Sequence, residues 1–149
     1  MSYGVLFFIL LFIQSAILQT LFKPGFIAPD IVLIALVSKA YMSGRPTLMW
    51  AIFGGAFLDI MTDTIGLHLA LETLSLYLFV LVYERLLFRT ILTYLIPASL
   101  VLFLKKVLAF FIMRAKFSFE LSLSVFMLSF LIEVAILLGV YFFYLRRKE

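Results

Sequence analysis

The sequence predicts an all-α membrane protein, a polytopic helix bundle of about six segments forming a single integral membrane domain over residues 1–149. Three observations predict it. Hydrophobic residues make up 66% of the chain and charged residues 13%, with a mean hydropathy of +1.23, more apolar surface than one soluble core of this length can bury. Proline, glycine and charged residues interrupt the apolar stretches at intervals suited to membrane segments. Lys and Arg, which set the net charge of +4, sit near the segment ends and not in a basic run, the pattern of membrane topology and not of nucleic-acid binding.

The first segment covers residues 5–22 and stops at Lys23-Pro24-Gly25, where proline and glycine both break helix geometry. No Lys or Arg precedes it, it is long for a signal-peptide core, and no small-residue cleavage site follows, so it is expected to remain as an uncleaved helix. The second, residues 31–42, is too short to span: at 1.5 Å per residue it covers about 18 Å of a hydrocarbon core near 30 Å. It reads as a half-helix, a re-entrant element or a strongly flanked span, and Ser43-Gly44-Arg45-Pro46 ends it.

The third segment covers residues 47–61, and the turn Thr62-Asp63-Thr64-Ile65-Gly66 leads to a fourth over residues 67–83. So short a connection makes these two antiparallel neighbours. Residues 84–89 form the next boundary, the fifth segment covers 90–113, and residues 114–118 close it. The sixth covers 119–145, long enough to tilt or to begin on the membrane surface, and ends in Arg146-Arg147-Lys148-Glu149.

Alternate passes place Lys39, Arg45, Arg85, Arg89, Arg146, Arg147 and Lys148 on the N-terminal side and Lys23, Arg114 and Lys116 on the other. The positive-inside rule then puts both termini in the cytoplasm and Asp63 outside. The chain has no cysteine, which excludes disulfides, thiol catalysis and thiolate-bound metals. The aromatic residues are expected mainly at lipid-facing and interfacial positions.

The most specific pattern lies in the third and fourth segments. Ala51, Gly55 and Asp59 are four apart and share one helix face, flanked by the small residues Gly54 and Ala56. Such a face lets another backbone approach closely, whether a helix of the same chain or a partner's span. Asp59, near the end of an apolar segment, needs pairing, protonation or the water boundary to offset the cost of its charge. Asp63 and His68 lie close by in sequence, and two carboxylates with an imidazole can ligate a metal; a histidine beside a solvated turn reads instead as a polar boundary residue, and no metal is expected.

Glu72, Lys105, Lys106 and Glu133 lie deeper. Glu72 and Lys106 sit at matching depths, roughly 9 to 11 Å below the outer helix ends, so Glu72 is expected to pair with Lys105 or Lys106 and Glu133 with the remaining lysine. The group reads either as a pin for helix packing, with lysine stems snorkelling outward, or as a proton path or substrate site.

Ala28-Pro29-Asp30-Ile31-Val32-Leu33-Ile34, then Gly55-Ala56-Phe57-Leu58-Asp59 and Ile65-Gly66-Leu67, resemble the rod-shape-determining membrane protein family MreD. In that family a Pro followed by Asp or Asn opens the second segment, a Gly precedes an Asp by four near the end of the third, and a Leu-Gly-like pair opens the fourth. Here those positions are Pro29, Asp30, Gly55, Asp59 and Gly66; Ile65 in place of leucine is a mild departure. The match covers residues 29–77, and Lys105, Lys106 and Glu133 are not part of it.

The resemblance implies a non-enzymatic subunit of the bacterial cell-elongation complex in the cytoplasmic membrane, without a cofactor. It would bind an MreC-like single-span protein and through it be linked to MreB filaments inside and to RodA and a penicillin-binding transpeptidase outside. It also implies a fold similar to the S-components of energy-coupling-factor transporters. The alternative function is accordingly a vitamin-binding, S-component-like transporter subunit, with the intramembrane charges around its pocket. An enzyme is the weakest reading, because the one histidine, His68, lacks a nucleophile in its turn and Asp59 and Asp63 do not come from facing helices.

Overall fold

The computed structural model describes residues 2–22, 25–64, 66–86, 90–116 and 122–146, and every regular element among them is helical. Six helices follow one another: α1 (Tyr3–Leu21), α2 (Ile31–Ser43), α3 (Leu48–Thr62), α4 (Leu67–Glu84), α5 (Ile91–Lys116) and α6 (Leu123–Leu145). α1, α4, α5 and α6 are long and apolar enough to cross a membrane, so the chain is a multi-pass membrane protein. The sequence markers Lys23, Pro24, Ile65, Arg89, Arg147, Lys148 and Glu149 lie outside the described residues, as does the stretch 117–121, where the sixth segment was expected to begin.

α2 is the organising element. It has only 13 residues, yet Val32, Leu33, Leu36, Val37 and Ala40 have no exposed surface because α1 and α3 through α6 surround it. Its boundaries have local causes. Pro29 cannot continue a helix from the preceding turn; Asp30 then caps the new one by accepting the Leu33 N–H at 2.9 Å. Gly44 ends it in the left-handed region at φ 68°, and Pro46 starts the 3-10 turn Arg45–Thr47 that leads into α3.

α3 and α4 pack as an antiparallel pair, as their short connection requires. Asp63, at φ 53°, terminates α3 in the left-handed region that a short polar side chain tolerates, and Gly66, at φ 72°, precedes α4.

Cross-links show which ends lie together. Arg45 donates three hydrogen bonds to Glu84 at 2.8, 2.9 and 3.2 Å, and Lys39 lies 3.5 Å above the Tyr3 ring, which meets Trp50 edge-on at 5.2 Å. The start of α1, the end of α2, the start of α3 and the end of α4 therefore share one end of the bundle. Tyr144 of α6 lines the same groove mouth as Tyr3, which puts the two terminal helices' outer ends on that side too.

The aromatic residues depart from expectation. Phe8, Phe53, Phe111 and Phe143 do face the lipid side, but Tyr41, Phe79, Tyr94 and Tyr141 are buried. Tyr94 is accommodated because its hydroxyl meets Ser38 Oγ at 2.8 Å, which satisfies the polar end of an otherwise apolar ring.

Candidate functional site

The segment before α2 descends into the bundle as irregular backbone, through the 3-10 turn Gly25–Ile27. Such backbone is tolerated at membrane depth only where protein supplies its hydrogen bonds, and here the side chains of three helices do so. The Asp30 N–H donates to Glu133 Oε1 at 2.7 Å, and the Ile31 N–H to Gln14 Oε1 at 3.0 Å. Lys106 Nζ donates to the carbonyls of Ile27 at 2.8 Å and Ala28 at 3.2 Å, while Ser129 Oγ donates to Ile27 O at 2.5 Å.

Charge pairing completes the cluster. Lys105 bridges Asp30 and Glu72, lying 2.5 Å from the latter. Lys106 lies 3.1 Å from Glu133 and also donates to Ser129. Consecutive helix residues point about 100° apart, so two adjacent lysines serve opposite sides: Lys105 turns toward α4 and Lys106 toward α6, with the start of α2 between them. Glu72 and Glu133 have no exposed surface. Three carboxylates thus face two ammonium groups, and the N-terminus of α2 adds partial positive charge where Asp30 and Glu133 accept its N–H groups.

This geometry corrects one expectation and extends another. The lysines do not snorkel to the membrane surface; both are buried and turned inward, since each finds a carboxylate there. The expected partners Glu72, Lys105, Lys106 and Glu133 come together, but Asp30 joins them at their centre. Gln14 and Ser129 join too. Gln14 opens a π-helical turn in α1, Gln14–Leu18, and such turns re-aim side chains within otherwise regular helices. Gln14, one of two glutamines in an otherwise apolar span, was the signal for it.

A cavity of about 20 Å³ adjoins the cluster, lined by Asp30, His68, Lys105, Lys106 and Glu133 among others. That is room for about one water molecule. Glu72 Oε2, Glu133 Oε2 and His68 Nδ1 are buried without a hydrogen-bond partner among the described residues.

The second polar site is the α3–α4 turn. Asp59 Oδ1 accepts the His68 N–H at 2.8 Å and the Thr64 hydroxyl at 2.9 Å, and Oδ2 accepts the Leu69 N–H at 3.0 Å. The first N–H groups of a helix lack intrahelical partners, and Gly66, at the cap position, has no side chain to offer. Asp59 supplies that cap from the preceding helix. Gly55, one turn earlier, permits the approach: a Cβ there would lie 2.5 Å from Leu69 Cα and 2.9 Å from His68 O.

The Ala51, Gly55, Asp59 face is therefore turned into the chain's own α4 and is not open to a partner span. Asp59, Asp63 and His68 do not converge as a ligand set, because the Asp59 carboxylate is taken up by backbone N–H groups and Asp63 is exposed. Comparison with protein-family models, with curated proteins and with solved structures finds no match to this chain.

Proposed function

We propose that the protein is a non-enzymatic, MreD-like scaffold of the bacterial cell-elongation complex, set in the cytoplasmic membrane with both termini inside. In this reading it binds an MreC-like single-span partner and, through it, is coupled to MreB, RodA and a penicillin-binding transpeptidase in lateral peptidoglycan synthesis. Beside the resemblance of Pro29, Asp30, Gly55, Asp59 and Gly66 to that family, the observation that carries the reading is the closure of the buried cluster. Its charges are spent on one another and on the backbone entering α2, and the cavity beside them admits about one water. A scaffold uses such a cluster as a strut.

The vitamin-binding alternative draws support from the unpartnered atoms of Glu133 and His68, two residues that line the cavity. At the charge cluster size favours the scaffold: small-molecule sites enclose about 300 to 1,000 Å³, against about 20 Å³ for the cavity that Glu133 and His68 line.

The test is co-purification of the tagged protein with the single-span, MreC-like protein of the same genome, co-expressed in a bacterial membrane. Stoichiometric capture supports the scaffold; no capture, together with saturable binding of a vitamin, would establish the alternative. Orientation is read separately, by reporter fusions at Asp63 and after Glu149. Opposite signals are expected, and matching signals would overturn the inside placement of both termini.

A further inference from the structure

A groove of about 490 Å³ runs along the side of α2 between α1 and α6. Ile31 and Ala35 form its floor, Leu6 and Leu10 its α1 wall, and Ile136 and Val140 its α6 wall. At one end the lining turns polar, with Tyr3, Lys39, Ser43 and Tyr144. We propose that this groove is a binding site for one membrane phospholipid, with one of its two acyl chains along α2 and its phosphate at Lys39.

Length selects this occupant. The lining extends from the first residue of α2 to its last, a rise of about 18 to 20 Å, close to one leaflet's share, about 15 Å, of the hydrocarbon core. The apolar end stops at Ile31, whose backbone is held by Gln14 deep in the bundle. A partner's transmembrane helix must cross both leaflets and is about 10 to 12 Å wide, so the groove would hold half of it at most. An acyl chain ends where the groove ends.

Chemistry at the polar end agrees. Lys39 lies over the Tyr3 ring and pairs with no carboxylate among the described residues. A phosphate at the bilayer surface offers oxygens to the Lys39 ammonium, and a lysine stem laid along apolar surface with its head at the interface is the ordinary snorkelling posture. The leaflet concerned is the cytoplasmic one in the orientation proposed above, and the site itself does not depend on the scaffold reading.

The experiment is native mass spectrometry of the full chain in detergent, titrated with phosphatidylglycerol, paired with fluorescence of Trp50. Trp50 is the single tryptophan of the chain, and its ring lies 5.1 Å from Lys39 Nζ, so a lipid spin-labelled near its head group quenches it when seated. One lipid per protein is expected, with saturable quenching. Lys39→Gln should weaken it by about tenfold or more, the scale of one hydrogen bond to a charged group, and diacylglycerol, which lacks the phosphate, should bind as weakly to the unaltered protein. Ala35→Phe, which fills the floor, should abolish both signals at an unchanged melting temperature; Val140→Phe on the opposite wall serves if that variant does not fold. Retention of lipid at wild-type affinity by a folded, obstructed variant overturns the proposal. So does non-saturating uptake, equal binding of diacylglycerol, or displacement of the lipid by a co-expressed single-span protein.

Discussion

The Asp59 turn and the Asp30 cluster both place a carboxylate at the start of a helix, but they differ in reach. Asp59 caps α4 from the end of α3, nine and ten residues away in sequence, at the edge of the bundle. Asp30 caps its own helix, its carboxylate is held by Lys105, 75 residues on, and its own backbone N–H donates to Glu133, 103 residues on. The first is a local clasp that any α3–α4 hairpin of this sequence can form. The second requires α1, α2, α4, α5 and α6 to be assembled. Burial separates them further: Glu72 and Glu133 have no exposed surface, whereas Asp59 is only part-buried. The cluster is thus a register device for the whole bundle, because an incomplete set leaves an uncompensated charge in a medium that cannot solvate it.

The largest effect should come from breaking the cluster on one side. Lys105→Met strands two buried carboxylates, and thermal unfolding in detergent should register a loss of about 3 to 5 kcal/mol. Removing all three charges with Asp30→Asn, Glu72→Gln and Lys105→Met should restore part of it, since neighbours sharing one network do not add. A triple variant that loses the sum of the single losses would mean that the charges are uncoupled.

Next is the approach of α3 to α4. Gly55→Leu must push the Leu69 backbone away, an overpacking of about 1 to 3 kcal/mol or more, read in the same melting assay. Gly139, beside which an added Cβ meets nothing within 4 Å, is the contrast: Gly139→Ala should leave the midpoint where it is or raise it slightly, by the helix propensity gained.

The local clasp ranks third. Asp59→Ala should cost about 0.5 to 2 kcal/mol, the worth of a helix cap, and Asp59→Asn less, because asparagine caps comparably. Hydrogen exchange at His68 and Leu69 should accelerate in the alanine variant, with the interior of α2 unaffected. Faster exchange throughout α2 would show that the clasp also governs the bundle. Smallest of all is Arg45→Ala: the Arg45–Glu84 pair is solvent-exposed, such pairs contribute little, and no change in the melting midpoint is expected.

The same contrast in reach explains what the sequence revealed. The segments read as 31–42, 47–61 and 67–83 correspond to helices Ile31–Ser43, Leu48–Thr62 and Leu67–Glu84, because Pro, Gly and Asp at their ends act on the backbone locally. The short connection at Asp63 likewise made the α3–α4 pairing legible. Glu72, Lys105, Lys106 and Glu133 stood out because charge is rare in apolar segments. Asp30 read as a helix start and not as a counter-ion, since nothing near it in sequence indicates that the chain entering α2 descends to the depth of Lys105. Which way Gly55 faces was also beyond the sequence: small residues permit close approach without naming the neighbour, and here the neighbour is α4.

The central claim is that the buried charges hold the framework of a scaffold and take no part in transport or partner recognition. It is tested most directly by capture of the proposed MreC-like partner by the variant Asp30→Asn, Glu72→Gln, Lys105→Met, Lys106→Met, Glu133→Gln, which removes the buried ion pairs of both lysines, after its folding and membrane insertion have been verified. The account predicts capture equal to that of the unaltered protein, at a lower melting temperature. A folded, inserted variant of this kind that no longer captures the partner would contradict it and make the charges themselves functional.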